Sequence, residues 1–507
     1  MKRVLLALSL LFLTACSSVP FDYPKQGSNA LPPTHDTLMG NQASQWTEKH
    51  PGLSGFVGLS EGVDALGARL KMTELAQQSI DAQYFIVKRD RAGALFVGKL
   101  LRAADRGVRV RLLVDDIFSP GVDHPFSVID SHPNIEVRLF NPLSRQSLKY
   151  WSYVVDFKRA NRRMHNKSFT ADNALTIVGG RNIGEEYFEL NQGVKFNDYE
   201  VLAIGPVVQQ VSEGFDAYWN NALSVPVAAF NIKVDDQEIE QWREYIRDHV
   251  EGDSAQIYQT AINSTLLNEI REGLIQPIAA PATLITDQPE KIHGAVGDKE
   301  LATLAMELAR RFRAAESEVL IITPYYIPQK AGVALVEELL AKGTRVIIIT
   351  NSLASTNHVP VHSGYARYRK RLLLAGVEFY EIRVDNQDEE NEWGGQPEKI
   401  TLHSKATIID RNSVFIGSLN FDPRSILINT EMGIFIESER AGAGLAESVL
   451  ESLSRKAYRV DLDEKGKLIW ISDHQGQHEI HHSEPQAGWW RKMQVKLYGL
   501  LPIESQL

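Results

Sequence analysis

Two short stretches of this chain carry residues suited to chemistry at phosphorus. In the first, His165, Lys167 and Asp172 lead into Gly179-Gly180 and Asn182. In the second, His403, Lys405 and Asp410 lead into Gly417-Ser418 and Asn420. Both follow His-x-Lys-(x)4-Asp-(x)6-Gly. Residues i and i+2 of a strand share a face, so each histidine and its lysine point the same way. Apolar residues rich in β-branching follow each aspartate, Leu175-Thr176-Ile177-Val178 and Val414-Phe415-Ile416, which predicts a second strand across a turn. The small pairs Gly179-Gly180 and Gly417-Ser418 then let the backbone approach a ligand closely. Two such halves facing each other bring together two imidazoles, two ammonium groups and two amides.

Such a site suits a phosphodiester. Lysine and asparagine donors bind the non-bridging oxygens and stabilise charge in a pentacoordinate transition state. One histidine can attack phosphorus while the other protonates the leaving oxygen and later takes the proton of the incoming alcohol. The two ammonium groups supply the stabilisation that a metal gives elsewhere, and the sequence has no compact His/Asp/Glu cluster at metal-ligand spacing. Neither a metal nor another cofactor is expected. The motifs are symmetric, so they do not by themselves say which histidine attacks.

The elements that must position these groups are also duplicated. An amphipathic helix over about 62–79 precedes a strand over 80–87, a helix over 92–106, Gly107 and a strand over 108–114. The order recurs as a helix over 300–315, a strand over 319–327, a helix over 331–342, Gly343 and a strand over 346–350. The two glycines lie 236 residues apart and the two motif histidines 238, so two independent features give one duplication. Strand, crossover helix and strand require parallel pairing. The expected fold is therefore α/β: two pseudo-symmetric lobes, each a mixed, largely parallel sheet flanked by helices, with one active site at their interface. The lobes are placed at 53–230 and 292–470, joined by a polar connector over 231–291.

The motif residues, with the surrounding Asn161-Arg162-Arg163-Met164-His165-Asn166-Lys167, Gly179-Gly180-Arg181-Asn182-Ile183-Gly184, Phe421-Asp422-Pro423-Arg424-Ser425 and Asn429-Thr430-Glu431-Met432-Gly433, resemble the paired HKD motifs of the phospholipase D superfamily, in its cardiolipin synthase C-like branch. The resemblance covers nearly the whole chain after its first residues. It implies a phosphatidyltransferase that makes cardiolipin from phosphatidylglycerol and a second phospholipid through a phosphatidyl-histidine intermediate, with a hydrolytic phospholipase D as the alternative and a nuclease further off. It also implies His165 as nucleophile, His403 as general acid and base, and an acidic residue downstream of each histidine, Asp198 and Glu431, to hold the imidazole. Asn182 and Asn420 are taken as phosphate-binding, and Asp172 and Asp410 as orienting the motif.

Composition bounds the setting. The chain has 507 residues, 43% hydrophobic and 23% charged, and a net charge of −10, which argues against a nucleic-acid partner. The one cysteine is Cys16. It follows Lys2-Arg3 and an apolar run to Leu13-Thr14-Ala15, which reads as a secretory signal over 1–15 and resembles a bacterial lipoprotein signal that lipidates Cys16. That places the protein on a membrane facing the periplasm, the outer membrane favoured because Ser17 follows, with phospholipids and the membrane surface as its partners and any accessory protein unknown. Residues 16–52, rich in Ser, Pro, Gly, Asn and Gln, read as a flexible tether.

Two basic runs, Lys158 to Arg163 and Arg367 to Arg371, fit either headgroup attraction or a solvated face. The remaining histidines, His362 among them, read mainly as ordinary core or surface residues. In the C-terminal segment 471–507, apolar residues at 489, 490, 493, 497, 500 and 501 with Arg491, Lys492 and Lys496 between them fit either an interfacial helix or one docked on the core.

Overall fold

The computed structural model describes residues 19–117, 121–145, 156–190, 193–235, 237–248, 255–294, 303–385, 399–474 and 477–507. The signal reading, Cys16 included, lies outside the described residues.

Two sheets organise the chain. The first runs, edge to edge, Ile278–Ala280, Ser54–Leu59, Glu200–Ile204, Leu175–Gly179, Ser168–Ala171, Ser79–Tyr84, Arg109–Asp115, Ile135–Phe140 and Ser224–Pro226. The second runs Ala282–Thr286, Met432–Glu437, Ser413–Gly417, Ala406–Ile409, Glu318–Ile322, Arg345–Asn351, Glu378–Ile382, Ala457–Leu462, Leu468–His474 and Gln477–His481. Without Ile278–Ala280 in one and the last two strands in the other, the two orders match strand for strand. The duplication inferred from two glycines and two histidines is thus a duplication of topology.

Each sheet is mixed, but less parallel than expected. In the first, only Ser79–Tyr84 with Arg109–Asp115 and Arg109–Asp115 with Ile135–Phe140 are parallel, and the same two steps are parallel in the second. The crossover helices Arg91–Asp105 and Gln329–Ala341 make the first of those steps in each sheet, and Asp123–Asp130 and Val359–Ala375 lie in the second. The motif strands are joined by tight turns instead, and a tight turn can link only antiparallel neighbours. The first crossover helix begins where the Asp90 carboxylate accepts the Gly93 N–H at 2.9 Å, and buries Leu95, Phe96, Leu100 and Leu101. Both helices are followed by a glycine in the left-handed region, Gly107 at φ 95° and Gly343 at φ 86°, a conformation that a side chain would strain.

The lobes share a core. Val178, Val201 and Ala203 of the first sheet cluster with Leu320, Ile347, Val414, Ile416, Ile434 and Ile436 of the second. Burial of each such aliphatic side chain contributes about 1.5–3 kcal/mol, which makes the interface between motifs a packed one.

Three expected boundaries change. Residues 19–52 lie against the first lobe rather than forming a tether: buried Arg111 and Arg138 donate to the Ser28 and Gln26 carbonyls at 2.7 and 2.6 Å, and Leu38–Lys49 is a helix capped by Thr37. The region 231–291 is more than a connector. Its Ile278–Ala280 and Ala282–Thr286 are edge strands of the first and second sheets, so the chain passes between sheets at Pro281. Finally, Leu468–His474 and Gln477–His481 extend the second sheet beyond residue 470.

Candidate active site

Each motif aspartate builds its own loop. Asp172 and Asp410 begin the turns between the motif strands at φ 51° and 50°. The Asp172 carboxylate accepts the N–H groups of Gln77, Gln78 and Ser79 at 2.8–3.1 Å, and the Asp410 carboxylate accepts those of Glu316, Ser317 and Glu318 at 2.8–3.0 Å. Each ties the motif hairpin to the neighbouring strand's entry, in keeping with an orienting role.

The histidines sit where the lobes meet. His165 N–H donates to the Thr430 carbonyl at 2.9 Å, and His403 N–H to the Asn197 carbonyl at 2.7 Å. Thr430 and Asn197 directly precede Glu431 and Asp198, so these backbone bonds deliver each carboxylate to the opposite lobe's imidazole. His165 Nδ1 lies 2.8 Å from Glu431 Oε2, and His403 Nδ1 lies 2.5 Å from Asp198 Oδ2. The acidic residues were expected to hold the histidine of their own lobe; the structure exchanges them. The reason is geometric: the loop before each carboxylate pairs with the residues entering the other motif, as Lys195–Asn197 with Ile400–Leu402 and Met164 with Thr430.

Lys167 and Lys405 both donate to the carbonyl of their own histidine, and Lys405 Nζ also lies 2.8 Å from His403 Nδ1. All four groups are almost wholly buried. Burial, reinforced by nearby lysine charge and opposed by Glu431, pushes the His165 imidazole down to about 4. Burial and the Lys405 charge take His403 down to about 3. Burial lowers Lys167 to about 7 and Lys405 to about 8. Burial works the other way on Asp198 and Glu431, yet the histidine and lysine beside each hold both carboxylates below their ordinary range. The charge of Lys405 acts on His165 and that of Lys167 on His403, so the two motifs form one electrostatic unit. Each Nδ1 faces a carboxylate, which turns Nε2 to proton transfer or attack, and His403 Nε2 lies 3.1 Å from Lys405 Nζ.

Asn182 reaches the same unit indirectly: its Nδ2 donates to the Tyr187 hydroxyl at 3.0 Å, and the Tyr187 ring meets His403 edge-on at 5.3 Å. Asn420 Oδ1 is buried with no hydrogen-bond partner among the described residues. The small pairs serve a different neighbour from the one expected. A Cβ on Gly180 would stand 2.3 Å from Asp198 Oδ1, so this glycine makes room for the carboxylate rather than for a ligand. At the corresponding position Ser418 donates its hydroxyl to Glu431 Oε2.

Sequence reasoning missed several positioning groups. Phe196 stacks on His403 at 5.2 Å and Phe85 meets His165 edge-on at 4.8 Å. Asp287, which accepts the Glu431 N–H at 3.1 Å and pairs with Lys291 at 2.7 Å, sits in what read as connector. Only Ser418 carried a signal, as the one hydroxyl among four otherwise glycine positions. The basic runs are largely spent internally: Arg162 donates to the Ile292 carbonyl and Arg163 to the Asn141 carbonyl, while Arg369 pairs with Glu381 and Glu484. His362 is buried near Glu484 at 3.7 Å. Among the described residues no cluster of three or more His, Cys, Asp and Glu side chains could hold a metal ion.

Comparison with known proteins shows the family. The family described as "Cardiolipin synthase, PLD-like domain" matches residues 70–219 and 308–453, one region in each lobe. Cardiolipin synthase C of Escherichia coli (strain K12) is 39% identical over 467 residues, 90% of this chain and 97% of that protein. An uncharacterized protein of Helicobacter pylori (strain ATCC 700392 / 26695) is 31% identical over 490 residues, 94% of each. Among solved structures, phosphatidylserine synthase of Haemophilus influenzae Rd KW20 superposes with a TM-score of 0.54 at 13% identity, covering 83% of this chain and 91% of that one; this is a likeness of fold.

Proposed function

The chain belongs to the cardiolipin synthase, phospholipase D-like family, an enzyme of the phospholipid phosphatidyltransferase class, and from that premise we propose that it makes cardiolipin. The observation that carries the reading is the crosswise pair of imidazole–carboxylate contacts, which gives one site two histidines held by Nδ1 and two lysines beside them. His165 Nε2 attacks phosphorus of phosphatidylethanolamine or phosphatidylglycerol, and the bond from phosphorus to the headgroup oxygen breaks. His403, entering this step as an imidazolium, gives its proton to that oxygen, and the headgroup leaves as ethanolamine or glycerol. Neutral His403 then takes the proton of a phosphatidylglycerol hydroxyl, which attacks phosphorus and releases His165.

Charge supports this sequence. With the His165 and His403 imidazoles lowered to about 4 and about 3, both are neutral near pH 7 in the free enzyme, as a nucleophile must be. An incoming phosphodiester anion raises the proton affinity of the second imidazole and of both lysines, so binding substrate prepares the acid. Lys167, Lys405, Asn182 and Asn420 are assigned to the non-bridging oxygens. Incubating the purified protein with labelled phosphatidylglycerol, with and without phosphatidylethanolamine, tests the proposal by product mass. Cardiolipin is expected; phosphatidic acid alone would replace transfer with hydrolysis.

The N-terminal sequence supports a further part of the reading, a periplasm-facing lipoprotein of the outer membrane anchored through Cys16. A mature protein whose Cys16 carries no lipid would overturn that part.

A further inference from the structure

The last helix, Trp489–Gly499, presents an apolar stripe to solvent. Trp489 is 74% exposed, Trp490 55%, Leu497 52% and Leu500 83%, values far above what a core-docked face would leave. None of the residues of this helix is buried. Its other side rests on the helix Val359–Ala375: Arg367 donates to the Gly499 carbonyl and pairs with Glu504. Lys492 and Lys496 flank the stripe. Paired tryptophans, leucines and cations on one helix have the make-up of an element lying in a bilayer interface.

Its placement ties it to the site. Near its start, Arg491 donates to the Thr356 carbonyl at 2.6 Å, an acceptor shared with Lys399 at 3.2 Å. Lys399 is four residues before His403. Past its end, the Gln506 and Leu507 carbonyls accept from Arg424 at 3.1 and 2.9 Å, and Asn161 Nδ2 donates to Gln506 Oε1 at 2.8 Å. Asn161 is four residues before His165, and Arg424 four after Asn420. Four residues of chain reach at most about 14 Å, so the start of the helix is tied near the second motif and the last residues of the chain, seven and eight beyond the helix, are tied near both motifs.

We propose that the helix Trp489–Gly499 is a docking surface for an anionic phospholipid bilayer and orients the paired-histidine site toward it. Its exposed stripe enters the headgroup boundary, and Lys492 and Lys496 pair with lipid phosphates. The proposal concerns binding and orientation, and stands apart from which phosphatidyl transfer the site performs.

The test uses the full chain with Cys16→Ala and Leu500→Cys, labelled at that one cysteine with the environment-sensitive dye NBD. Vesicles of phosphatidylglycerol and phosphatidylcholine are added, and flotation confirms that the protein is on them. A blue shift of NBD emission, quenched by brominated acyl chains, is expected. Lys492→Gln and Lys496→Gln are each expected to weaken the vesicle-dependent shift about fivefold in lipid concentration. Unchanged emission from protein that floats with vesicles would overturn the proposal. So would a blue shift that grows with protein concentration in the absence of lipid, which would make the stripe a contact between copies. Trp490→Ser with Leu497→Ser is expected to slow turnover on vesicles at least tenfold while leaving turnover of a short-chain, monomerically soluble phospholipid unchanged. Equal loss on both substrates would instead mark a structural role.

Discussion

Replacing Glu431 by Gln should disable His165, although Glu431 follows the other motif. Glu431 Oε2, itself fully buried, stands 2.8 Å from the nearly buried His165 Nδ1. Attack turns the neutral imidazole into a cationic phosphoryl-imidazolium, and the carboxylate is the anion that faces it. Two unit charges about 4 Å apart at an effective dielectric of about 20 interact by about 4 kcal/mol, which is about a thousandfold in the rate of the attack step. The amide keeps the shape of the carboxylate and one acceptor oxygen for His165 Nδ1–H but not its charge, so folding should survive. The assay is stopped-flow release of p-nitrophenolate from a phosphatidyl p-nitrophenol ester, whose leaving group needs no protonation. Glu431→Gln and His165→Asn should both lose the fast first release. Asp198→Asn and His403→Asn should keep that release and fail in later turnovers, because nothing then activates the acceptor. If Glu431→Gln instead groups with His403→Asn, the crosswise pairing is wrong as an account of catalysis.

Three further outcomes follow from the same geometry. Burial lowers Lys167 to about 7 and Lys405 to about 8, and an ammonium loses its charge above its pKa; kcat/KM, which reports the free enzyme, should therefore fall as pH rises through 7 to 8. Substrate phosphate restores those charges, so kcat should stay flat to higher pH; a kcat/KM profile level from pH 6 to 9 would count against the lysine assignment. Gly180→Ala places a Cβ 2.3 Å from Asp198 Oδ1 and should cost about 10²–10⁴ in turnover, the range of general acid–base help, with the first p-nitrophenolate release retained; near-normal turnover would show that the carboxylate does not need its position. With Lys167 and Lys405 assigned to the phosphate charge, turnover should persist in EDTA, and a loss restored by one specific divalent ion would point to a different mechanism.

Much of this was legible because the chemistry is written twice. The His-x-Lys spacing, the glycines after the crossover helices and the apolar runs after Asp172 and Asp410 each report local backbone geometry, and the structure returns each in both lobes. What escaped depends on how the halves close on each other. Asp198 lies nearer in sequence to His165 than to His403, yet the strand pair Lys195–Asn197 with Ile400–Leu402 gives it to His403. Composition also misled at 19–52. A segment without periodicity looked like a tether because its backbone is satisfied by side chains 83 and 112 residues away, those of Arg111 and Arg138. The antiparallel majority of each sheet was present in the turn after each motif aspartate, and the crossover signal outweighed it.

The central claim is a phosphatidyl group carried on His165. The direct measurement is to mix the protein with phospholipid labelled in its phosphatidyl moiety, quench within milliseconds at a pH that preserves phosphoryl-histidine, and map the label by peptide mass. Label on the His165 peptide is predicted in the wild type, with greater accumulation in His403→Asn and none in His165→Asn. Label on His403 in the His165→Asn protein would reverse the two roles, and wild-type turnover with label on neither histidine would contradict the covalent mechanism.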